Sequence, residues 1–243
     1  ENEIIKRTMM TYDSLMSVSE VDFEFVLVDY GSYPTRLSDH IKESNIKHCY
    51  IQPTGIDFLN GLFGEHQNDF YEYIAKDIGI HVSDHDLVLI TNIDLIFMDK
   101  ITDKCIESVR NNSVLTAKKS DIPYDFVTKT ADVIANEYAQ GNVPILTTHP
   151  CTHAGDYTFV SKENYFEVGG FEYVPRNVHV DSKLIEDLFQ IGVDVECDHC
   201  HILHLDHKLG GNSKINESRG LGQQVTIDIS IDEFVSKYVD VYS

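Results

Sequence analysis

The stretch from residue 86 to residue 97 constrains the fold more than any other part of the chain. It reads Asp-Leu-Val-Leu-Ile-Thr-Asn-Ile-Asp-Leu-Ile-Phe, an apolar run interrupted only near Asp94. Such a run is typical of a strand buried on both faces of a parallel sheet. It places Asp94 at the carboxyl edge, where open α/β sheets bind ligands. A carboxylate beside a buried strand is costly unless a cation or hydrogen bonds meet it, so Asp94 is a candidate functional residue.

The composition makes two classes of partner unfavourable. The 243 residues, 42% of them hydrophobic, can form one domain with a substantial core or at most two small domains. Forty acidic and 19 basic side chains leave a net charge of −21. A surface this negative repels phosphate backbones and anionic lipid, so we expect neither nucleic acid nor a membrane surface as a partner. No apolar run has the length of a membrane span, and the acidic surface is compatible with divalent cations.

The cysteines and the first residues favour a reducing compartment. Five cysteines, an odd number spread along the chain, do not resemble a disulfide framework. The opening residues lack the layout of a secretory signal. The sequence therefore predicts a cytoplasmic location.

The first half of the chain alternates between strand and helix patterns. Helices are predicted over residues 4–16, 37–43 and 68–77, the last one closed by Gly79. Strands are predicted over 23–28, 46–51 and 87–90. This alternation predicts right-handed βαβ units and an α/β fold with a mostly parallel central sheet flanked by helices.

The second half is less regular. Residues 118–155 are expected to be irregular apart from a helix, and four glycines from Leu209 to Gly222 predict a mobile loop. The predicted helices are 99–110, 130–138, 162–168 and 181–190, the last stopped by Gly192. The predicted strands are 114–117, 157–160, 193–196 and 202–205, with a half-exposed strand over 225–231.

Three aspartates occupy positions at which a carboxylate could take part in ligand binding or catalysis. Asp29 and Asp94 each follow an apolar strand, and adjacent parallel strands would bring both to one edge of the sheet. Each is equally well explained as the cap of a turn or helix. Asp181 opens the helix that ends before Gly192, where it serves either as an N-terminal cap or as a general base.

Residues 196–207 hold two cysteines and four histidines, which invites a zinc interpretation. Only three residues separate Cys197/Cys200 from His204/His207, too few for a zinc finger. On a strand, His201 and His204 would point to opposite faces. One histidine beside Asp94 would instead suit a manganese site with nitrogen and oxygen ligands.

Taken in order, several segments resemble the glycosyltransferases of the GT-A fold, closest to the inverting family-2 type. The first is a strand ending in Asp-Tyr-Gly-Ser, and the second resembles the Ala-Arg-Asn-x-Gly helix. The third resembles the Asp-x-Asp motif, and the fourth resembles the acceptor-side strand with its Gly-Gly-Phe-Glu turn. In the same order, these four segments are Phe25–Ser32, Ala75–Ile80, Thr91–Asp94 and residues 155–172. Val180-Asp181 is similar to the Glu-Asp element of the catalytic base, and His204 resembles a late metal ligand.

The resemblance implies a single GT-A domain over residues 1–243. A nucleotide-binding half would cover about 1–110, an acceptor half about 111–207, and a mobile loop with a C-terminal strand or helix 208–243. It implies transfer from a nucleoside diphosphate sugar, such as a UDP-sugar, to a hydroxyl acceptor such as a glycan. Asp94 and His204 would hold Mn2+ or Mg2+, and Asp181 would act as the base. The implied nucleotide contacts are Asp29, Gly31, Ser32, Lys76, Asn92 and Asp156.

The chain departs from the family pattern at several points, which leaves two alternatives. Asn92 replaces the first acid of Asp-x-Asp, and Val180 replaces the usual Glu. Family members begin with a strand, whereas this sequence opens with the helix that follows it. A nucleotidyltransferase would share the architecture and the metal, but no basic, Gly-rich phosphate loop is visible. A degenerate sugar-nucleotide-binding module of a larger protein would explain Asn92.

Overall fold

The computed structural model describes residues 2–32, 35–43, 45–63, 71–149, 154–173, 180–197, 200–206 and 229–242. The helices are α1 (Asn2–Val18), α2 (Pro53–Phe63), α3 (Glu72–Val82), α4 (Asp103–Arg110), α5 (Ala131–Ala139), α6 (Lys162–Glu167), α7 (Val180–Gln190) and α8 (Ile231–Tyr238). The strands are β1 (Phe25–Asp29), β2 (Ile46–Ile51), β3 (Leu87–Thr91), β4 (Leu95–Phe97), β5 (Ser113–Thr116), β6 (Lys118–Pro123), β7 (Thr147–His149), β8 (Tyr157–Ser161), β9 (Asp194–Glu196), β10 (His201–Asp206) and β11 (Val239–Tyr242).

The chain is an α/β protein that divides into two compact units, each built from distant segments. Unit 1 comprises residues 1–23, 86–168 and 185–209, and unit 2 comprises residues 24–85, 169–184 and 210–243. The prediction of a single domain with the boundaries given above stays a prediction.

Unit 1 contains two mixed four-stranded sheets. One has the order β3-β8-β5-β9, with β8 antiparallel to both neighbours and β9 parallel to β5. The other has the order β4-β10-β6-β7, in which only β10 and β6 are parallel. The second sheet matters most for the candidate site, because β10 and β6 pair His204 directly with Asp121.

Helix α1 completes the edge of this second sheet. The hydroxyl of Thr11 donates to the carbonyl of Leu95 at 2.9 Å and accepts from the Leu95 amide at 3.1 Å. The Ser14 hydroxyl accepts from the Phe97 amide at 3.2 Å. These hydroxyls satisfy backbone groups of β4 on the side away from β10. The contacts fix α1 against β4 and bring Arg7, one turn earlier, to the residue that precedes β4.

The core around this sheet is apolar and fully buried. Aliphatic side chains from β4, β6 and β10 meet helix α5, whose Ile134 has no exposed surface. The buried members of this cluster are Met10, Ile96, Ile122, Ala131, Ile134, Val143, Leu203 and Leu205. Burial of such side chains removes apolar surface from water and is the main stabilising contribution to unit 1. It also makes the strands that carry the polar cluster rigid.

Unit 2 is organised around the three-stranded sheet β1-β2-β11. Strands β1 and β2 are parallel, and β11 is antiparallel to β2. The rings of Phe58, Phe234 and Tyr238 pack together between α2 and α8, with centroids 5.1 to 6.0 Å apart. Gly55 permits this approach, because a β-carbon there would lie 2.8 Å from Cβ of Tyr238.

The structure confirms many predicted elements and corrects others. The α/β class is confirmed, but the mostly parallel central sheet is wrong, since the described sheets are mixed. An apolar pattern identifies a strand without specifying its direction, and β8 enters antiparallel between β3 and β5. Gly79 lies inside α3 instead of closing it. Residues 118–123, expected to be irregular, form β6. Ile231, placed in a strand by alternation, begins α8.

Two further observations concern the setting of the protein. Within the described ranges, no helix combines the length and apolar character needed to cross a membrane. Cys197 is disulfide-bonded, whereas Cys49, Cys105 and Cys200 are free and buried. A disulfide is typical of oxidising compartments, so Cys197 weighs against the cytoplasmic prediction, which stays a prediction.

Candidate functional site

Asp94 lies in the turn between β3 and β4 and is only 5% exposed. Two basic groups face its Oδ2 atom: Nη1 of Arg7 at 3.6 Å and Nε2 of His204 at 3.8 Å. Strand register explains the second approach, because His204 on β10 is the partner of Leu95, the residue after Asp94. The structure therefore brings together the two side chains that the sequence nominated as metal ligands. Their metal-binding role stays a prediction.

His204 also contacts a carboxylate on its other side. Its Nδ1 lies 2.9 Å from Oδ1 of Asp121, and Nε2 of His149 lies 2.6 Å from Oδ2 of the same Asp121. Strands β10, β6 and β7 supply these three side chains side by side. Together with Arg7 and Asp94 they form a row of alternating basic and acidic groups, called here the Asp94–His204 cluster.

The Asp94–His204 cluster keeps Asp121 ionised. Burial alone would raise the pKa of Asp121, but hydrogen bonds from His149 and His204 outweigh it, and the nearby Lys119 acts in the same direction. The result is a pKa below the ordinary value of 3.8. Asp121 is therefore a carboxylate, which can only accept hydrogen bonds, over the whole physiological range.

Asn92 and Asp156 lie together beside this cluster in unit 1. The side-chain amide of Asn92 donates to Oδ1 of Asp156 at 2.8 Å, and Nζ of Lys119 lies 2.5 Å from Oδ2. The Thr91 hydroxyl also donates to the Asp156 carbonyl at 3.0 Å. These bonds join the end of β3 to the start of β8. Asn92, which replaces an acid of the family motif, thus has a structural partner, and its nucleotide-binding role stays a prediction.

Asp29 closes the turn that follows β1 in unit 2. Its Oδ1 accepts from the Ser32 amide at 2.9 Å, and its Oδ2 accepts from the Leu37 amide at 2.8 Å. Gly31 within this turn has a φ of 72°, which favours glycine. The turn-capping interpretation of Asp29 is therefore confirmed. Contacts of Asp29, Gly31 and Ser32 with a nucleotide stay predictions.

Lys76 and Asp181 also belong to unit 2. Lys76 forms an ion pair with Glu72 one turn earlier on α3, in the order that favours such helical pairs. Asp181 is in the first turn of α7, which begins at Val180. A carboxylate there interacts favourably with the helix dipole. This placement supports the predicted interaction of Asp181 with the helix dipole, but Asp181 follows the first helical residue and is not the N-cap. Its role as a base stays a prediction.

The zinc interpretation gains nothing from the described histidines. His201 contacts the Ser120 hydroxyl at 3.0 Å and the Tyr138 hydroxyl at 3.2 Å, whereas His204 faces Asp94. Alternation along β10 separates the two rings, as predicted. In the described ranges, no group of three or more His, Cys, Asp or Glu side chains is arranged to hold a metal ion. His207, the predicted mobile loop from Leu209 to Gly222 and residues 225–228 of the predicted half-exposed strand lie outside the described residues.

A divalent cation fits the space between Asp94 and His204 as far as the donor atoms allow. Ligand atoms about 2.1 Å from one cation lie about 3 to 3.5 Å apart, close to the 3.8 Å observed. Two side chains suffice when water and phosphate oxygens complete the shell, as is usual for magnesium. The carboxylate and imidazole donors also suit manganese. Arg7 is the opposing feature, since its positive charge already compensates Asp94.

Sequence reasoning missed Arg7, Lys119, Asp121 and His149. Arg7 lies on a helix that was predicted from its apolar side chains, and its polar side chains were not considered as site residues. The other three lie on β6 and β7, in the stretch expected to be irregular. The alternation of burial over residues 118–123, where Ser120 and Ile122 are buried between more exposed neighbours, is visible only in the structure. In the sequence of this stretch Ile122 is the one clearly apolar side chain before Pro123, so no hydrophobic alternation marked this strand.

No protein-family model matches the chain, and no curated protein matches its sequence. The resemblance to glycosyltransferases therefore rests on the quoted segments and their order.

Proposed function

We propose that the chain is a metal-dependent inverting glycosyltransferase of the GT-A fold. It would move a sugar from a nucleoside diphosphate sugar, first of all a UDP-sugar, to a hydroxyl acceptor such as a glycan. The observation that supports this most is the 3.8 Å between Oδ2 of Asp94 and Nε2 of His204. These are the side chains that the resemblance assigns to the cation, and they are 110 residues apart in sequence.

The reaction needs one cation and one base. A bound Mn2+ or Mg2+ supplies neutralisation of the charge that develops on the departing diphosphate. Asp94 and His204 would hold it through Oδ2 and Nε2. Asp181 takes the proton of the acceptor hydroxyl as that oxygen bonds to the anomeric carbon. The bond from this carbon to the diphosphate oxygen breaks, and the diphosphate leaves with the electron pair. A single displacement of this kind inverts the anomeric centre.

Calorimetric titration with manganese and a panel of UDP-sugars tests the cation site. Asp94→Asn removes one charge without changing shape, and it should weaken manganese-dependent donor binding below detection. Asp86→Asn is the matched control, because Asp86 flanks the opposite end of β3 and is exposed. Equal donor binding by both variants, with native circular dichroism, would remove Asp94 from the site.

Turnover tests the proposed base separately. Asp181→Asn should spare donor binding and eliminate sugar transfer, since an amide cannot accept the acceptor proton. Release of free sugar from the donor in the presence of manganese is a suitable first assay, because it requires no known acceptor. Retained turnover in Asp181→Asn would mean that Asp181 only stabilises the first turn of α7.

A non-catalytic sugar-nucleotide-binding module is the second candidate. It is favoured by Asn92, whose amide is bonded to Asp156, and by the Arg7 charge near Asp94. Such a module would bind a donor and leave it intact. Donor binding without any hydrolysis or transfer, across the whole panel, would favour this candidate.

A further inference from the structure

We infer that Asp121 is a positioning residue that orients His204 toward Asp94. This inference rests on the proposed function only for the identity of the ligand, a divalent cation. The orientation itself is a property of the chain and can be measured without any ligand.

The tautomer of His204 follows from its neighbour. Oδ1 of Asp121 lies 2.9 Å from Nδ1 of His204, within hydrogen-bond distance. A carboxylate only accepts, so Nδ1 must carry the hydrogen. In the neutral ring this leaves the lone pair on Nε2. That lone pair is what a metal ion requires of histidine.

The Nε2 atom faces a second acceptor. Oδ2 of Asp94 lies 3.8 Å away, beyond the range of a hydrogen bond. The lone pair of Nε2 and the carboxylate oxygen are both electron-rich, so their approach in a mostly buried place is unfavourable. A cation between them would stabilise the arrangement. By holding the hydrogen on Nδ1, Asp121 therefore leaves Nε2 of His204 and Oδ2 of Asp94 as two electron-pair donors for one cation. Without that bond, His204 could place its hydrogen on Nε2 and donate toward Asp94 instead.

His149 holds Asp121 from the other side. Its Nε2 lies 2.6 Å from Oδ2 of Asp121, so each carboxylate oxygen serves one histidine. The framework is rigid because the three side chains stand on paired strands β10, β6 and β7. Carboxylate–histidine pairs of this kind orient metal-bound imidazoles in general, and their loss weakens metal affinity about 10- to 100-fold.

The first measurement is the tautomer of His204 in metal-free protein, by long-range proton–nitrogen correlation at a pH where the ring is neutral. The wild type should show the hydrogen on Nδ1. Asp121→Leu should lose this state, because leucine offers no acceptor. His149→Gln should keep it, because Oδ1 of Asp121 remains. Hydrogen on Nε2 in the wild type, or an unchanged spectrum in a folded Asp121→Leu, would overturn the inference.

The second measurement is manganese affinity, followed by the paramagnetic resonance signal of the free ion. Asp121→Leu and the milder Asp121→Asn should each bind manganese about 10- to 100-fold more weakly, and Asp86→Asn should match the wild type. Unchanged affinity in both Asp121 variants would overturn the positioning role. Absence of manganese binding by the wild type both with and without a UDP-sugar would refute the proposed function, and the tautomer would still decide the role of Asp121.

Discussion

Replacing Gly31 with alanine tests the turn that follows β1, where three of the predicted nucleotide contacts lie. The φ of Gly31 is 72°, and a β-carbon in this left-handed region costs about 1 to 2 kcal/mol. The new methyl would also overlap Cδ1 of Ile56 and lie 3.5 Å from its Cγ1. Such crowding adds about 1 kcal/mol, at the low end of overpacking, because Cδ1 ends a flexible side chain. The free energy of unfolding should fall by about 2 to 3 kcal/mol in total.

Two further variants separate strain from crowding in urea unfolding at equilibrium. Gly169 belongs to the same unit and has a φ of 83°, and a β-carbon added there would meet no atom of the described residues within 4 Å. Gly169→Ala should therefore show the strain alone, about 1 to 2 kcal/mol. In an Ile56→Val background the overlapping atom is gone, and Gly31→Ala should cost no more than Gly169→Ala. Equal losses for Gly31→Ala with and without Ile56→Val would refute the contact with Ile56.

The remaining predictions concern stability and thiol chemistry. Gly61→Ala should stabilise the protein by about 0.5 to 1 kcal/mol, because the position is helical and no other part of the described chain comes within 4 Å of the added methyl. In the same helix, Gly55→Ala should destabilise the protein, since the added methyl would lie 2.8 Å from Tyr238. If urea unfolding showed Gly55→Ala to be as stable as Gly61→Ala, the packing of α2 described here would be contradicted. Burial lowers the pKa of His48 from 6.5, so the unfolded state binds more protons and stability should fall as pH drops below about 6.5. Unfolding at pH 7.5 and 5.5 checks this, and a slope unchanged in His48→Gln would refute it. Cys197 should resist alkylation in unfolded protein until a reductant is added, which mass spectrometry of its peptide decides.

Two of the strands could be read from the sequence because most of their side chains favour strands. The strand Ile46–Ile51 was predicted with its observed bounds, and the strand Leu87–Thr91 within one residue. The strand Leu87–Thr91 consists of aliphatic and β-branched side chains, and Ile46–Ile51 begins and ends with isoleucine and includes a tyrosine, residue types that favour strands. Strand β6 carries lysines, a serine and an aspartate, whose low β-propensity is overridden by its two neighbours in the sheet.

Glycine occurs inside two helices, one that was not predicted and one whose predicted end was wrong. Helix α2 begins at Pro53, a favourable first position, yet its two glycines lower its apparent helix propensity. One of them, Gly55, is required by the close approach of Tyr238. Gly79 suggested a stop but lies inside α3, where a β-carbon would come within 3.3 Å of Val28. In both helices a tertiary contact, which no local pattern encodes, decides the residue.

The candidate site could be predicted only in part for a similar reason. The position of Asp94 after an apolar strand and of His204 on a later strand are local features. The pairing of β10 with both β4 and β6 is not local, and it alone brings Asp121 beside His204. Sequence reasoning therefore reached the two nominated ligands but not the carboxylate that orients one of them.

The negative charge of Asp94 can be compensated by Arg7 or by a bound cation. The first interaction concerns folding, and the second concerns the proposed function. A carboxylate that is 5% exposed requires a positive partner. Arg7 lies 3.6 Å from its Oδ2 and comes from α1, a helix fixed to β4 by Thr11 and Ser14. Folding of unit 1 therefore does not depend on a cation.

A cation that binds at Asp94 is repelled by Arg7, so its affinity alone should be modest. An anionic diphosphate would offset that repulsion, because its oxygens attract both Arg7 and the cation. Metal and donor are thus expected to bind cooperatively, each tightening the other by the same factor.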